Sequence, residues 1–346
     1  MTAAEQQRLR DGPPKLEQTW RRTMAWLEGT ESGSASSPAS RSLLLLGDPD
    51  YPTALLNTAD PPLLLHLEGR RELLQHRSVA VVGSRHPTPQ GEDNARQFAA
   101  GLGEAGFCVV SGLAAGIDGA AHEAALNTAG GTMAVLGTGL DQVYPLAHEA
   151  LARHIGRRGL LISEFFIGTP PLAPNFPQRN RIIAGLTEGC LVVEAAVKSG
   201  SLITARMASE AGREVFAIPG SIHAPQSRGC HHLLKQGACL VQTLEDLLCE
   251  LPPMNAAAGA QAESALTSVS SPTTAAPASR GSTQDSAAEP RHPLLRALGH
   301  DPLSLEQLSQ RTGWPIDELS AALLDLELQG AVARLPGARF QRRVRA

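Results

Sequence analysis

A chain of 346 residues leaves room for two domains and connecting segments. Hydrophobic residues at 42% and charged residues at 18% can bury a sizeable core, which excludes global disorder. With 30 Lys+Arg against 34 Asp+Glu the net charge is −4, so a uniformly basic nucleic-acid binder is excluded and any polyanion site must be a local patch.

The N-terminal segment is polar and has no apolar signal core. No apolar run reaches the roughly 18 residues that a membrane span needs. A cytoplasmic protein without membrane contact is expected. Residues 15–28 read as an amphipathic helix with Trp20, Met24 and Leu27 on one face, and the Gly/Ser-rich stretch 29–40 as a flexible connector. From Ser42 the character changes. Short, Val/Leu/Ile-rich, non-alternating runs start at Ser42, Ser78, Phe107, Thr132, Leu160, Cys190, Glu214 and Ala238. Strands buried on both faces read this way. Between most of them lie helix-like stretches at 91–105, 117–128, 146–157, 178–187, 202–212 and 243–250. The alternation predicts a doubly wound α/β domain, Rossmann-like, with a mainly parallel sheet. Cys108, Cys190, Cys230, Cys239 and Cys249 lie mostly in apolar runs and form no C-x-x-C pair, so buried thiols are expected and no metal centre or cofactor.

Residues 252–292 are rich in Ala, Ser, Thr and Pro without an apolar period, the composition of a disordered linker. Beyond it come a helix starting at Pro293, a second capped by Ser304 with Gln307 three residues on, a third over Pro315–Leu328, and a hairpin. That order predicts a small winged-helix domain. The expected organisation is therefore 1–41, a short helix and connector; 42–251, the α/β core; 252–292, the linker; and 293–346, the winged helix with a basic tail.

Five segments, four at strand ends and one at a helix start, carry candidate chemistry. Gly83-Ser84-Arg85 closes one strand: the glycine permits close backbone approach to an anion, and the arginine offers a two-pronged donor. Ser111-Gly112 and Gly116 close the next, ahead of a helix with Asp118 and His122; there Asp118 can simply favour the helix N-terminus, and His122 reads as a packed structural residue. Gly137 and Gly139 close a third, with Tyr144-Pro145 in the following loop. Asn175-Phe176, Arg179-Asn180 and Arg181 open a helix. Two arginines there oppose the helix dipole unless an external anion is present, and Phe176 can stack on a base. Lys198-Ser199-Gly200-Ser201 follow one more strand; Lys198 can meet a phosphate or be merely solvated. Each segment taken alone also reads as an ordinary turn. A metal reading of His223, Cys230, His231 and His232 fails because adjacent helical histidines point apart.

The ordered set YPTALLNTADPPLLLHLEG, VAVVGSR, SGLAAGID, AVLGTGLDQVYP, SEF, FPQRNRIIAGL, VVEAAVKSGSLITA and AIPGS, over about residues 42–250, resembles the DNA-processing protein A family (DprA/Smf). LLDLELQGAVARLPGARF resembles that family's winged-helix domain. The resemblance implies a core that dimerises and binds single-stranded DNA, acts in natural transformation, protects incoming strands and helps to load the RecA recombinase on them. It implies that Gly83-Ser84-Arg85 is the phosphate-gripping loop and that Arg179 and Arg181 fall in the family's basic segment. Two departures stand out: one helix where many members carry a helical N-terminal domain, and His231 where Asn is more usual.

The expected function is a non-enzymatic single-strand binder, held mainly by electrostatics. The alternative is a nucleotide or phosphoribosyl hydrolase of a related Rossmann-like fold, but the turn at Lys198–Thr204 lacks the acid such enzymes carry. A transcription regulator reading duplex DNA is disfavoured, because helix Ile316–Leu328 carries Asp317, Glu318, Asp325 and Glu327 and no basic residue.

Overall fold

The computed structural model describes residues 16–29, 40–252, 292–298 and 302–343. The connector at 29–40 and the linker at 252–292 fall, apart from their terminal residues, outside the described residues, as does the tail beyond Arg343. The chain divides into two compact units, one running to Leu248 and the other from Cys249 to Arg343.

The first unit is built on nine strands: β1 (Arg41–Leu45), β2 (Leu64–Gly69), β3 (Ser78–Val82), β4 (Cys108–Ser111), β5 (Thr132–Val135), β6 (Leu160–Ser163), β7 (Gly189–Val192), β8 (Glu214–Ala217) and β9 (Cys239–Leu240). They form one sheet in the order β1-β2-β6-β5-β4-β3-β7-β8-β9. From β3 to β9 every pairing is parallel. Every residue of β3 through β7 is buried, which is why these segments read as unbroken apolar runs. The fold is thus Rossmann-like and doubly wound.

One edge departs from the expected parallel pattern. β1 pairs antiparallel with β2, and β2 antiparallel with β6. The connection between β1 and β2 holds only the short helix Thr53–Leu56, and Leu46 N donates to Leu63 O to close it. A parallel crossover needs a longer covering element, so the chain reverses instead. β2 escaped the sequence reading because His66 and Glu68 interrupt its apolar character.

The N-terminal helix Leu16–Leu27 buries Thr23 and Trp26, not the face centred on Trp20, which stays 58% exposed. Trp26 packs into a cluster with Leu113, Leu151 and Ile167, and this contact sets the helix's rotation. Arg41 fastens it, donating from Nη1 to Trp26 O at 2.7 Å with its guanidinium 5.1 Å from the Trp26 ring.

From β3 the chain steps outward through β4, β5 and β6, then returns to β7 on the other flank of β3 and steps away through β8 and β9. The strand order therefore reverses between β3 and β7. In open α/β sheets the loops diverging at such a reversal leave a crevice at the strands' carboxyl ends.

The second unit contains helices Pro293–Leu298, Leu305–Thr312 and Ile316–Leu328 and the strands β10 (Leu303–Ser304), β11 (Val332–Leu335) and β12 (Arg339–Arg342), ordered β10-β12-β11. Ser304 and Gln307 form the expected capping box, and Gly313, at φ 73°, ends that helix in the left-handed conformation that glycine adopts without strain. Leu294, Leu308, Leu319, Leu323 and Phe340 form its core. This is a winged helix.

Candidate functional site

A cleft of about 750 Å³ opens at the β3/β7 reversal. Of the residues singled out in the sequence, Gly83, Ser84, Arg85, Phe176, Arg179, Asn180, Lys198, Ser199, Gly200 and Ser201 line it. The loops meet there because their small residues leave no room for anything larger. A Cβ on Gly83 would stand 2.6 Å from Ile117 Cγ1. Gly116, at φ 81°, lets the helix Ile117–Ala125 start directly against the β3 loop, where Ile117 N donates to Ser84 O at 3.2 Å. Behind the loop, Glu194 accepts from Thr88 N at 2.9 Å and Thr88 Oγ1 at 2.6 Å, while Thr88 Oγ1 caps the helix Pro89–Glu104. Burial pushes the Glu194 carboxyl up, against the lowering effect of these bonds.

Two exposed cations stand at the cleft without a carboxylate partner among the described residues, Arg85 after β3 and Lys198 after β7. Helix Ser201–Glu210 starts beside Lys198, so its positive end also faces the cleft. Ser199 and Ser201 hydroxyls lie 2.7 Å apart there, and Ser201 N donates to Ser199 Oγ at 3.3 Å. Opposite, Phe176 sits against Tyr144 with ring centroids 5.5 Å apart and planes tilted by 48°, and the Arg85 guanidinium lies 5.9 Å from the Phe176 centroid. Tyr144 is 45% exposed. It was noted in the sequence only as a loop residue; its position just after Gly139 was the available signal.

Other candidates are engaged within the fold rather than free. Arg179 is only 4% exposed and donates from Nη1 to Val135 O beneath the cleft floor. Burial pushes its guanidinium down to about 10; Asp118 opposes this and Arg85 adds to it. Asp118 is buried too, accepting from Gly112 N at 3.1 Å and Ala114 N at 3.4 Å; burial raises its carboxyl and Arg179 counteracts. A Cβ on Gly112 would fall on the Arg179 guanidinium, so that glycine makes space for a buried cation. Arg181 points away from the cleft to Asp60 at 3.2 Å and Glu164 at 2.6 Å. Ser111 is fully buried and donates to Val81 O at 2.7 Å, which spends its hydroxyl on the sheet. Asn175 donates to Gly137 O at 3.1 Å, and Gly137 lies against the Phe176 ring: this pair sets the aromatic's position. Gly139 serves the neighbouring loop, its N–H donating to Thr169 O at 3.0 Å. His122 is buried, bonded through Nδ1 to Thr132 Oγ1 at 2.7 Å, a structural role as read.

The assembled site offers two free cations, a helix N-terminus and an accessible aromatic pair, means of holding a phosphate backbone and unstacked bases. The chain is similar to Protein Smf of Escherichia coli, 43% identical over 297 residues that cover 83% of this chain and 74% of that protein. It is 51% identical over 203 residues to DNA processing protein DprA of Streptococcus pneumoniae, covering 59% and 72%. Among solved structures it is similar to DNA processing protein A of Streptococcus pneumoniae, with TM-score 0.59, 40% identity, and coverage of 68% of this chain and 93% of that one. It is also similar to DNA processing protein A of Helicobacter pylori, described in terms of its single-stranded DNA binding mode, with TM-score 0.56, 30% identity, and coverage of 61% and 97%. The family model for DNA recombination-mediator protein A matches residues 42–252, and that for the DprA winged helix domain matches residues 272–338. The chain belongs to the DNA recombination-mediator protein A family.

Proposed function

We propose that this protein is a non-enzymatic single-stranded DNA-binding recombination mediator of natural transformation, which protects incoming strands and loads RecA on them. It works in the cytoplasm as a homodimer. One observation carries the single-strand reading: Arg85 and Lys198, both free of carboxylate partners among the described residues, flank a cleft that also presents Phe176 and Tyr144. Cations grip the backbone whatever the sequence, and aromatic faces take bases that a duplex keeps stacked. The DNA-processing role of the relatives and the single-strand binding described for the Helicobacter pylori protein support it. The inward-turned Arg179 and the doubly paired Arg181 act on this site indirectly, through the cleft floor and the helix that carries Phe176.

The test is a salt-series titration of single- and double-stranded oligonucleotides. The wild-type protein should prefer the single strand, and Arg85→Ala should weaken binding to all sequences and flatten the salt slope by about one unit. Unchanged affinity and slope in a folded Arg85→Ala protein would remove the cleft from the interface. Release of free base from nucleoside monophosphates would instead favour the hydrolase alternative.

A further inference from the structure

The outward side of a helix in a small domain is ordinarily polar. In the second unit the helix Leu305–Thr312 follows that rule: its exposed residues are Glu306, Gln307, Gln310 and Arg311. The next helix, Ile316–Leu328, breaks it. Leu319, Leu323 and Leu326 pack into the core, yet Ile316, Leu324 and Leu328 on its outward side are 52%, 55% and 80% exposed. At about 100° per residue these outward side chains fall within an arc of about 120°, spread over about 18 Å of helix. Ser320 lies inside that arc but turns its hydroxyl back to Ile316 O at 2.7 Å, and the exposed Ala321 borders it, so the strip stays apolar. A lone exposed leucine needs no explanation, whereas a continuous apolar strip marks a contact surface. The strip is also held in place at its start. Ser309 Oγ donates to Trp314 O at 2.8 Å and Trp314 N donates to Thr312 Oγ1 at 3.2 Å, which fixes the turn from which the helix departs.

We propose that this strip is a docking surface for a basic amphipathic helix of a partner protein, which lays apolar side chains on Ile316, Leu324 and Leu328 and sets Lys or Arg side chains against the acids around them. Charge selects this occupant. Asp317 and Glu318 stand in the first turn, and Asp325 and Glu327 lie about 80° to either side of the Leu324–Leu328 end of the strip. The helix carries no Lys or Arg to neutralise them. Such a rim repels DNA and repels an anionic lipid surface. It also opposes a second copy of this chain, because a two-fold pairing of the helix with itself brings the same acids together across the interface. A cationic polypeptide meets both requirements at once. Apolar side chains at helical spacing cover the strip, and flanking cations pair with the carboxylates as a polar rim. The basic residues of this unit, Arg334, Arg339 and Arg342, lie on the hairpin, so the module keeps its two signs of charge on different elements. The strip is independent of the cleft and does not rest on the single-strand reading.

The experiment titrates the full chain against labelled peptides by anisotropy over a salt series. The probe is a peptide of leucine and lysine with its leucines on one helical face; the controls are the same peptide with glutamate in place of lysine, and a shuffled peptide of the same composition. The proteins are the wild type, Leu324→Ser with Leu328→Ser, and Asp325→Asn with Glu327→Gln, each checked by circular dichroism. All four positions lie outside the buried set Leu319, Leu323 and Leu326, so the variants should fold. The wild type should bind the Leu/Lys peptide and neither control. The double serine variant should lose at least about tenfold in affinity with the salt dependence kept, and the double amide variant should bind more weakly with a flatter salt dependence. Single-strand binding should be the same in all three proteins. Equal binding of the Leu/Lys peptide by the wild type and the double serine variant would overturn the proposal, as would a wild type that bound no peptide or preferred the Leu/Glu one. A wild type that sedimented as a larger oligomer than the double serine variant would give the strip to a second copy. Loss of DNA binding in the double serine variant would give it to nucleic acid, and either result would overturn the partner helix while leaving the cleft to be judged by its own titration.

Discussion

Arg85, Arg179 and Arg181 share a side chain and have three different fates, decided by what surrounds each guanidinium. Arg85 is exposed and free; Arg179 is buried and bonded to a carbonyl; Arg181 bridges two carboxylates. The sequence placed the last two together because they fall two residues apart near a helix start. On a helix that spacing separates them by about 200°, so one faces the sheet when the other faces outward. The sequence held this geometry, but the identity of the outward partners, Asp60 and Glu164, is a tertiary fact invisible to spacing. Arg181→Ala is therefore expected to act chiefly on stability and to remove no phosphate contact. Removing it leaves the half-buried Glu164 without its ion pair, at a cost of about 1–3 kcal/mol, while the salt slope of single-strand binding stays unchanged. Denaturant titration beside the binding series checks both halves. His122 supports a second expectation. Burial, with smaller contributions from His148 and Arg179, pushes its imidazole down to about 3. The unfolded chain takes up a proton near pH 6.5 that the folded chain refuses until about pH 3, so stability falls as pH drops through that window. Between pH 7 and pH 5 this residue alone accounts for a loss of about 2 kcal/mol. His122→Gln, which keeps an N–H for Thr132 Oγ1, should show a shallower acid dependence in chemical denaturation.

At the scale of elements, the strands from β3 onward were legible because two-sided burial writes itself as consecutive apolar residues. The antiparallel edge was not, because β2 needs only one apolar stretch interrupted by His66 and Glu68, and pairing direction depends on the connection and not on the strand. Strand-end glycines were legible as a group but not by role: Gly83 and Gly116 bring the cleft loops together, Gly112 makes room for Arg179, and Gly139 serves a different loop. A glycine records that something comes close without naming it. The N-terminal helix was misread for a related reason, since Trp20 and Trp26 are equally apolar and only docking decides which one is buried. Its 12 residues would be marginal in isolation, so its order depends on that docking. Trp26→Ala removes its largest buried contact and should release the helix locally, making Leu16–Leu27 itself rapidly cleavable by protease while the protected core fragment persists. Equal protease resistance in the variant and the wild type would show that Arg41 alone holds the helix.

At the scale of the whole molecule, a net charge of −4 and a polyanionic ligand are compatible only if binding is local. The cleft meets that requirement, since its free cations, aromatic pair and helix N-terminus all lie between Gly83 and Ser201 at one end of the sheet. The winged helix meets it poorly. Its helix Ile316–Leu328 carries Asp317, Glu318, Asp325 and Glu327, which repel phosphates, and the basic residues Arg334, Arg339 and Arg342 lie instead on the hairpin. Those arginines can add non-specific attraction, but nothing about them distinguishes single from double strands. The core should accordingly carry most of the affinity by itself. A chain ending at Pro252 retains every strand of the nine-stranded sheet and the whole cleft, and the core family model ends at the same residue. We expect it to fold, to form the proposed dimer and to bind single strands within about tenfold of the full chain, a loss of at most about 1.4 kcal/mol. Its salt slope should be lower only by what the hairpin arginines contribute. If the shortened chain kept its circular dichroism and its dimer in sedimentation but lost single-strand binding, the interface would have to be moved to the winged helix or its basic tail.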